Sequence, residues 1–211
     1  MNFMHGPGVG SPVPLDPKRQ AILRYARKAF VSEGYAATRI EPIAREAGVS
    51  TATLYSLFDG KAQLFSAVID DAAEDFARQM AGVGAIEGDA RQQLISFAEA
   101  YADFMSHPFV RAVFRLVIAE RPRFQAVAQR FFERGRFAFG ATLIGILVTL
   151  SKSGSLRLID RPSWAAGHLM GMIEHPVFFV PLVTGDETRV RRSNAEVVED
   201  AIDTFLARYG A

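Results

Sequence analysis

The chain has 211 residues, with 24 lysines and arginines against 23 aspartates and glutamates, a formal net charge of +1 and no cysteine. The absence of cysteine excludes disulfide frameworks, thiolate zinc sites and cysteine nucleophiles, and a hydrophobic fraction of 49% excludes a disordered chain. A net charge near zero argues, taken alone, against a nucleic-acid partner, which normally meets a basic surface.

The first 16 residues are interrupted by glycine and proline and contain neither lysine nor arginine. A secretory signal needs a basic start followed by a continuous apolar run, so we expect a flexible arm over residues 1–16. From Pro17 the apolar residues recur at helical spacing, with Asp16 as a cap and Gly34 as a stop.

Three further short segments follow with the same periodicity. The spacing predicts a second helix from Thr38, a third over 51–58 and a fourth from Lys61 to about residue 80. Gly48 lies between the second and third helices, where a sharp reversal favours a residue that adopts positive φ without strain. Three short helices with a glycine in that turn are typical of a helix-turn-helix.

Beyond residue 89 only helical periodicity is present, and no alternating strand pattern persists. Residues 157–159 are too short for a strand. The pattern predicts an all-α fold of about nine helices, with an arm over 1–16, a helix-turn-helix domain over 17–62 and a helical domain over 63–211. The later helices are expected near 90–106, 108–119, 122–152, 162–182 and 190–209.

Two apolar stretches raise the question of a membrane. The uncharged run between Arg136 and Lys152 is shorter than the roughly 20 residues that span a bilayer. The stretch over 162–185 is interrupted by Glu174, Pro176 and Pro181. We therefore expect buried helices, no membrane contact and a cytoplasmic protein.

The segment over residues 38–65 reads TRIEPIAREAGVSTATLYSLFDGKAQLF. Its Ala-Gly-Val-Ser turn, Thr-Leu-Tyr run and Lys-x-x-Leu-Phe ending resemble the signature of the tetracycline-repressor (TetR) family. The resemblance implies a DNA-binding regulator, most simply a repressor that binds a palindromic operator as a homodimer and is released by a small apolar or aromatic effector. An all-α small-molecule-binding protein that has lost DNA binding is the alternative.

The third helix is the expected recognition helix, whose first residues lie at base edges in the major groove. Thr51, Ala52 and Ser56 should face the bases, and the resemblance implies phosphate contacts for Thr53 and Tyr55. A local cap at Thr53 and a core position for Tyr55 are the alternatives. The full predicted set of DNA contacts is Thr38, Arg39, Ser50, Thr51, Ala52, Thr53, Tyr55, Ser56 and Lys61.

Charge is distributed unevenly along the chain. Residues 17–65 contain 8 basic and 4 acidic side chains, whereas residues 66–105 contain 2 basic and 8 acidic ones. A basic head can therefore meet phosphates while the whole chain stays near neutral.

The remaining helices are rich in phenylalanine, and the resemblance implies that some of these rings line an effector pocket while others fill the core. The predicted ligand set is Tyr101, Phe104, Phe139, Leu143, His168 and Met172. The last two helices are expected to form the dimer through Gly167, Met170, Gly171, Phe178, Val198, Ile202 and Phe205.

Cofactors and catalysis are not expected. His168 and His175 lie seven residues apart on one helix and could, with Glu174, suggest a metal, but no third ligand has suitable spacing, so no metal is predicted. No nucleophile elbow, zinc-protease motif or phosphate-binding loop is present, so the chain is not expected to be an enzyme.

Overall fold

The computed structural model describes residues 16–81, 87–157, 160–185 and 192–211. Within these residues the chain forms nine helices and no strand, which confirms the predicted all-α class. The helices are α1 Pro17–Ala37, α2 Ile40–Glu46, α3 Thr51–Leu57, α4 Gly60–Ala81, α5 Ala90–Ser106, α6 Pro108–Glu120, α7 Gln125–Lys152, α8 Pro162–Thr184 and α9 Asn194–Tyr209.

The chain divides into two compact units between Val68 and Ile69. The division falls inside α4, the helix that also contains the expected boundary between residues 62 and 63. Residues 1–15 of the expected arm over 1–16 lie outside the described residues.

Local signals set the ends of α1. Asp16 accepts a hydrogen bond from the amide of Lys18 at 3.0 Å, and Pro17 occupies the first turn, where a missing amide hydrogen costs little. Gly34 has a φ of +76°, so the regular spiral breaks there, as the sequence predicts.

Aromatic packing closes the first unit. The rings of Phe30, Tyr35 and Phe65 contact one another with centroid separations of 5.3–6.0 Å. Two of these pairs meet edge to face, the arrangement that aromatic quadrupoles favour. The cluster fixes the end of α1 against the start of α4.

Helix α5 is the centre of the second unit and packs against α6, α7, α8 and α9. Polar contacts hold the start of α9 on α5: the Nδ2 atom of Asn194 donates to Asp103 Oδ1 and to Ser106 Oγ, both at 2.9 Å. Arg91 and Asp203 form an ion pair at 2.5 Å between the same helices.

Helix α7 is joined to the second half of α4 by two ion pairs. Arg130 donates to both carboxylate oxygens of Asp70, at 3.3 and 3.1 Å, and Arg134 contacts Glu74 at 3.1 Å. Helix α7 begins at Gln125 rather than at 122, because the carbonyl of Glu120 accepts from two consecutive amides and forms a turn there.

Helices α7 and α8 each contain a π-helical turn, over Arg136–Gly140 and His175–Phe179. Pro176 has no amide hydrogen to donate to the preceding turn, which accounts for the wider turn in α8. By length and composition alone, both helices could cross a membrane, with a mean hydropathy of 1.2. That neither does so stays a prediction.

One backbone pairing was not predicted from the sequence. The amide of Arg157 donates to the carbonyl of Tyr209 at 2.8 Å, and Leu156 pairs with Gly210 in an isolated antiparallel bridge. Residues 158 and 159 lie outside the described residues. The predicted start of the last helix, residue 190, also lies outside the described residues. In the structure α9 begins at Asn194, with Ser193 as its cap.

Candidate functional site

The turn between α2 and α3 is built around Gly48. This residue has a φ of +68°, which a side chain would strain. The amide of Gly48 donates to Arg45 at 3.1 Å, and that of Val49 donates to Ala44 at 3.0 Å. These bonds close the end of α2 and reverse the chain into α3.

Ser50 starts α3 by capping it. Its hydroxyl accepts from the amide of Thr53 at 3.0 Å and lies 2.9 Å from the hydroxyl of Thr53. Leu54 holds α3 against the core of the first unit, because its side chain is fully buried. Ser50 and Thr53 therefore have a structural role, the local cap that was the alternative for Thr53.

One face of α3 is left exposed. We call it the recognition face, and it consists of Thr51, Ala52, Tyr55 and Ser56. Tyr55 is 52% exposed, so the alternative of a core tyrosine is wrong. Arg39, at the start of α2, is exposed as well.

Thr38 requires a correction. It was predicted to begin α2 and to belong to the DNA contacts, but its side chain is only 3% exposed and its hydroxyl donates to the carbonyl of Gly34 at 2.7 Å. It completes the end of α1, and Arg39 takes the cap position of α2 without a side-chain bond.

The second unit contains an aromatic cavity of about 210 Å³ between α4, α5, α6, α7 and α8. Its wall is apolar apart from one tyrosine and one carboxylate. The described lining residues are Ala73, Phe76, Tyr101, Met105, Phe114, Phe131, Phe132, Gly135, Phe139, Met170, Glu174 and Phe178. A concave apolar space with few polar groups is the usual form of a small-ligand site.

Tyr101 and Glu174 meet at the cavity wall. The hydroxyl of Tyr101 donates to Glu174 Oε1. Burial raises the pKa of the Glu174 carboxyl above its usual value, an effect that this hydrogen bond partly opposes. Burial, followed by the charge and the hydrogen bond of Glu174, raises the pKa of Tyr101. The phenol therefore stays neutral and acts as the donor.

Two family models match the chain. The model described as bacterial regulatory proteins of the tetR family matches residues 22–68, which contain α2, α3 and the recognition face. The model described as the C-terminal domain of AefR-like transcriptional repressors matches residues 92–211. The chain belongs to the TetR family. It is accordingly a transcriptional regulator and not an enzyme.

Other transcriptional regulators resemble it over different spans. The HTH-type transcriptional activator FasR of Mycolicibacterium smegmatis is 34% identical over 98 residues, which are 46% of this chain and only 45% of that relative. The structure of a TetR-family regulator from Mesorhizobium loti MAFF303099 aligns with a TM-score of 0.79 and 27% identity, over 92% of this chain and 97% of that one. The flavonoid-responsive regulator FrrA aligns with a TM-score of 0.72 and 26% identity over the same shares.

The cavity of this TetR regulator contains two residues of the predicted ligand set, Tyr101 and Phe139. Phe104 lies behind the wall, with its ring 4.9 Å from that of Phe139, and Leu143 is fully buried outside the described lining.

The structure corrects the remaining two members of the ligand set. His168 is exposed, and its Nδ1 lies 3.0 Å from the hydroxyl of Tyr209. Met172 is half-buried and lies outside the described lining. Glu174 was not predicted as a cavity residue, although a lone carboxylate in an apolar stretch was the signal for it.

The residues predicted to form the dimer interface also lie in different places in the structure. Val198, Ile202 and Phe205 are at most 1% exposed and pack α9 inside its own subunit, so they cannot meet a partner. Met170 and Phe178 line the cavity.

Gly167 and Gly171 are exposed instead, and a Cβ atom added to either would meet nothing within 4 Å. They belong to an exposed stripe that we call the α8 outer face. It consists of Trp164, Gly167, His168, Gly171, His175, Phe179 and Val183.

Proposed function

We propose that this regulator is a ligand-responsive homodimeric repressor, which binds a palindromic operator and releases it when a small apolar or aromatic effector fills the cavity. The observation that carries the proposal is the composition of α4. Its first half contributes Leu64 and Phe65 to the core of the first unit, and its second half contributes Ala73 and Phe76 to the cavity wall. A ligand that moves α4 can therefore alter the DNA-binding head.

DNA contact is assigned to the recognition face, Arg39 and Lys61. Thr51 and Ala52 are short and can reach a thymine methyl group, whereas Tyr55 and Lys61 are suited to phosphates. Within this set, Arg39 is the side chain suited to donate two hydrogen bonds to one base. DNA shape is therefore expected to contribute to operator choice.

A homodimer is assigned to the α8 outer face. Trp164, Phe179 and Val183 are each more than half exposed in the single chain, and Gly167 and Gly171 permit close approach of a second helix. Two-fold symmetry then sets the two recognition helices about 34–36 Å apart, one turn of DNA. A cytoplasmic location follows from a DNA target.

Activation is the second candidate, because the relative FasR is named an activator. The same head and cavity serve either outcome, since the position of the operator relative to the promoter decides it. Transcription from a promoter that carries the recovered operator, with and without the protein, distinguishes a repressor from an activator.

Selection of bound fragments from random DNA by the full chain tests the DNA-binding part of the proposal. We expect a near-palindrome whose half-sites lie about 10 base pairs apart, or a multiple of that spacing. Arg39→Ala should weaken retention, and Arg192→Ala, an exposed arginine that pairs with Asp200 in the second unit, is the matched control. Failure to retain any DNA at low salt would favour the carrier alternative.

A further inference from the structure

The charge inside the cavity indicates the chemical class of the effector more closely than the apolar walls do. Glu174 is the one charged side chain among the described lining residues, and no described lining residue is basic. We propose, on the basis of the proposed regulatory function, that the effector is a compact aromatic ammonium whose positive charge pairs with the Glu174 carboxylate.

The carboxylate has one neutral partner in the described part of the chain. Tyr101 donates to Oε1 and satisfies part of its hydrogen-bonding capacity, but a phenol does not cancel a negative charge. The remaining charge lies in an apolar site, where an unpaired ion is costly. A cationic ligand relieves that cost, a neutral phenol only adds a hydrogen bond, and an anionic ligand meets a like charge.

The neighbouring arginines are already engaged. Arg111 donates to the carbonyls of Ser106 and Val177. Arg130 and Arg134, on the helix that supplies Phe131, pair with the carboxylates of Asp70 and Glu74. In these contacts none of the three guanidinium groups meets Glu174, so a cationic ligand can supply the opposite charge.

The walls and the volume fit the same class. The six phenylalanines offer π faces, which attract cations, and the hydroxyl of Tyr101 is turned to Glu174. The lining phenylalanines are Phe76, Phe114, Phe131, Phe132, Phe139 and Phe178. A dry cavity of about 150 Å³ holds benzene, so a space of about 210 Å³ holds one ring with a small ammonium substituent.

A matched pair of probes tests the assignment. N,N,N-trimethylanilinium and tert-butylbenzene have nearly the same shape and differ in charge, and their binding to the full chain is measured by titration calorimetry and thermal shift. We expect the cation to bind wild type more tightly, and Glu174→Gln to weaken it by at least about tenfold, as loss of a buried charge partner does. The affinity for tert-butylbenzene should change by less than about twofold, because its contacts are apolar.

Two further variants distinguish loss of the Glu174 charge from misfolding of the variant. Tyr101→Phe keeps both the ring and the carboxylate, so it should lose less cation affinity than Glu174→Gln does, and Glu199→Gln removes an exposed carboxylate elsewhere and should change nothing. Equal affinity for the two probes, no binding of either, or equal loss of the cation in Glu174→Gln and Tyr101→Phe would overturn the assignment.

DNA retention is measured separately on the same preparations without a probe. Intact retention with failed cation binding rejects the ammonium effector alone. Failed retention rejects the proposed regulator itself.

Discussion

Lys61 has two partners at the start of α4. Its Nζ atom donates to the carbonyl of Ala36 at 3.0 Å and lies 4.7 Å from the centre of the Tyr35 ring. The ammonium group is thereby held at a fixed place beside the end of α1, with hydrogens left for a phosphate. A fixed cation contributes more to DNA binding than a freely rotating one, because less side-chain entropy is lost.

We predict that Lys61→Gln weakens operator binding about equally for all sequences and lowers the slope of log affinity against log salt by about 1. The measurement is fluorescence anisotropy of a labelled operator at several salt concentrations. Lys152→Gln, which removes an exposed lysine in the second unit, should leave both quantities unchanged. An unchanged salt slope in Lys61→Gln would mean that Lys61 only supports Tyr35 and Ala36.

Thr38 and Glu174 illustrate how a residue type leaves its role open. A threonine between two helices can bond the carbonyl that precedes it or the amide that follows, and here it bonds Gly34. Glu174 interrupts an apolar stretch, yet only the approach of Tyr101 from another helix makes it part of a cavity. The sequence shows the chemistry of both side chains, but it does not show which group each of them bonds.

At the scale of the element, the turn at Gly48 isolates backbone strain from packing. A Cβ atom added there meets nothing within 4 Å, while the φ of +68° disfavours any side chain. We predict that the free energy of unfolding falls least in Gly48→Asn, by about 1 kcal/mol in Gly48→Ala and most in Gly48→Val. Asparagine adopts this conformation most readily and a branched side chain least.

Urea unfolding of the three variants measures this order. Gly145→Ala is the control in helical backbone, where alanine is favoured by up to about 1 kcal/mol. Equal losses for asparagine and valine would point to packing in the turn rather than to strain.

The start of α9 carries a capping box. Glu196 Oε2 accepts from the amide and the hydroxyl of Ser193 at 2.7 and 2.9 Å, and the backbone bond, followed by the hydroxyl bond, lowers the pKa of Glu196. Because the folded pKa is below the unfolded value, the charged form stabilises the fold above the ordinary value of 4.5. That stabilisation is lost as the pH falls through the lowered pKa.

We therefore predict that Glu196→Gln is less stable than wild type at pH 7, since glutamine keeps the acceptor and loses the charge. The difference in Tm should shrink below pH 4.5 and vanish once Glu196 is protonated in wild type. Thermal unfolding from pH 7 to pH 3 measures it, with Glu33→Gln, an exposed carboxylate on α1, as the control. A difference that is constant over this range would exclude a role for the charge.

Helix ends were predictable where the signal is local. The expected helix over 90–106 is Ala90–Ser106 in the structure, because Asp89 caps it and His107-Pro108 ends it. The stripe of Val198, Ile202 and Phe205 was predictable as a buried face, but periodicity does not say what covers it. The structure covers it with α5 and α8 of the same subunit, so the expected dimer contact there was wrong.

At the scale of the whole molecule, the two units carry different surfaces. The first presents a small recognition face, and the second contains a cavity and leaves the α8 outer face uncovered. Aromatic and aliphatic side chains on that face are exposed at helical spacing, which is costly in a monomer and typical of a contact surface. Burial of this face in a dimer would place two DNA-binding heads on one assembly, and operator affinity would then depend on it.

Gly171→Leu tests that dependence. A leucine there should block close approach of two α8 helices, while the single subunit tolerates it, because a Cβ atom at this position meets nothing within 4 Å. We predict a monomer by sedimentation equilibrium where wild type is a dimer, with operator affinity reduced by about 100-fold, since each head then binds alone. Gly145→Leu changes an equally open helical glycine on α7 and should stay dimeric with wild-type affinity. If Gly171→Leu also remained dimeric and bound the operator as wild type does, the dimer would have to form through another face.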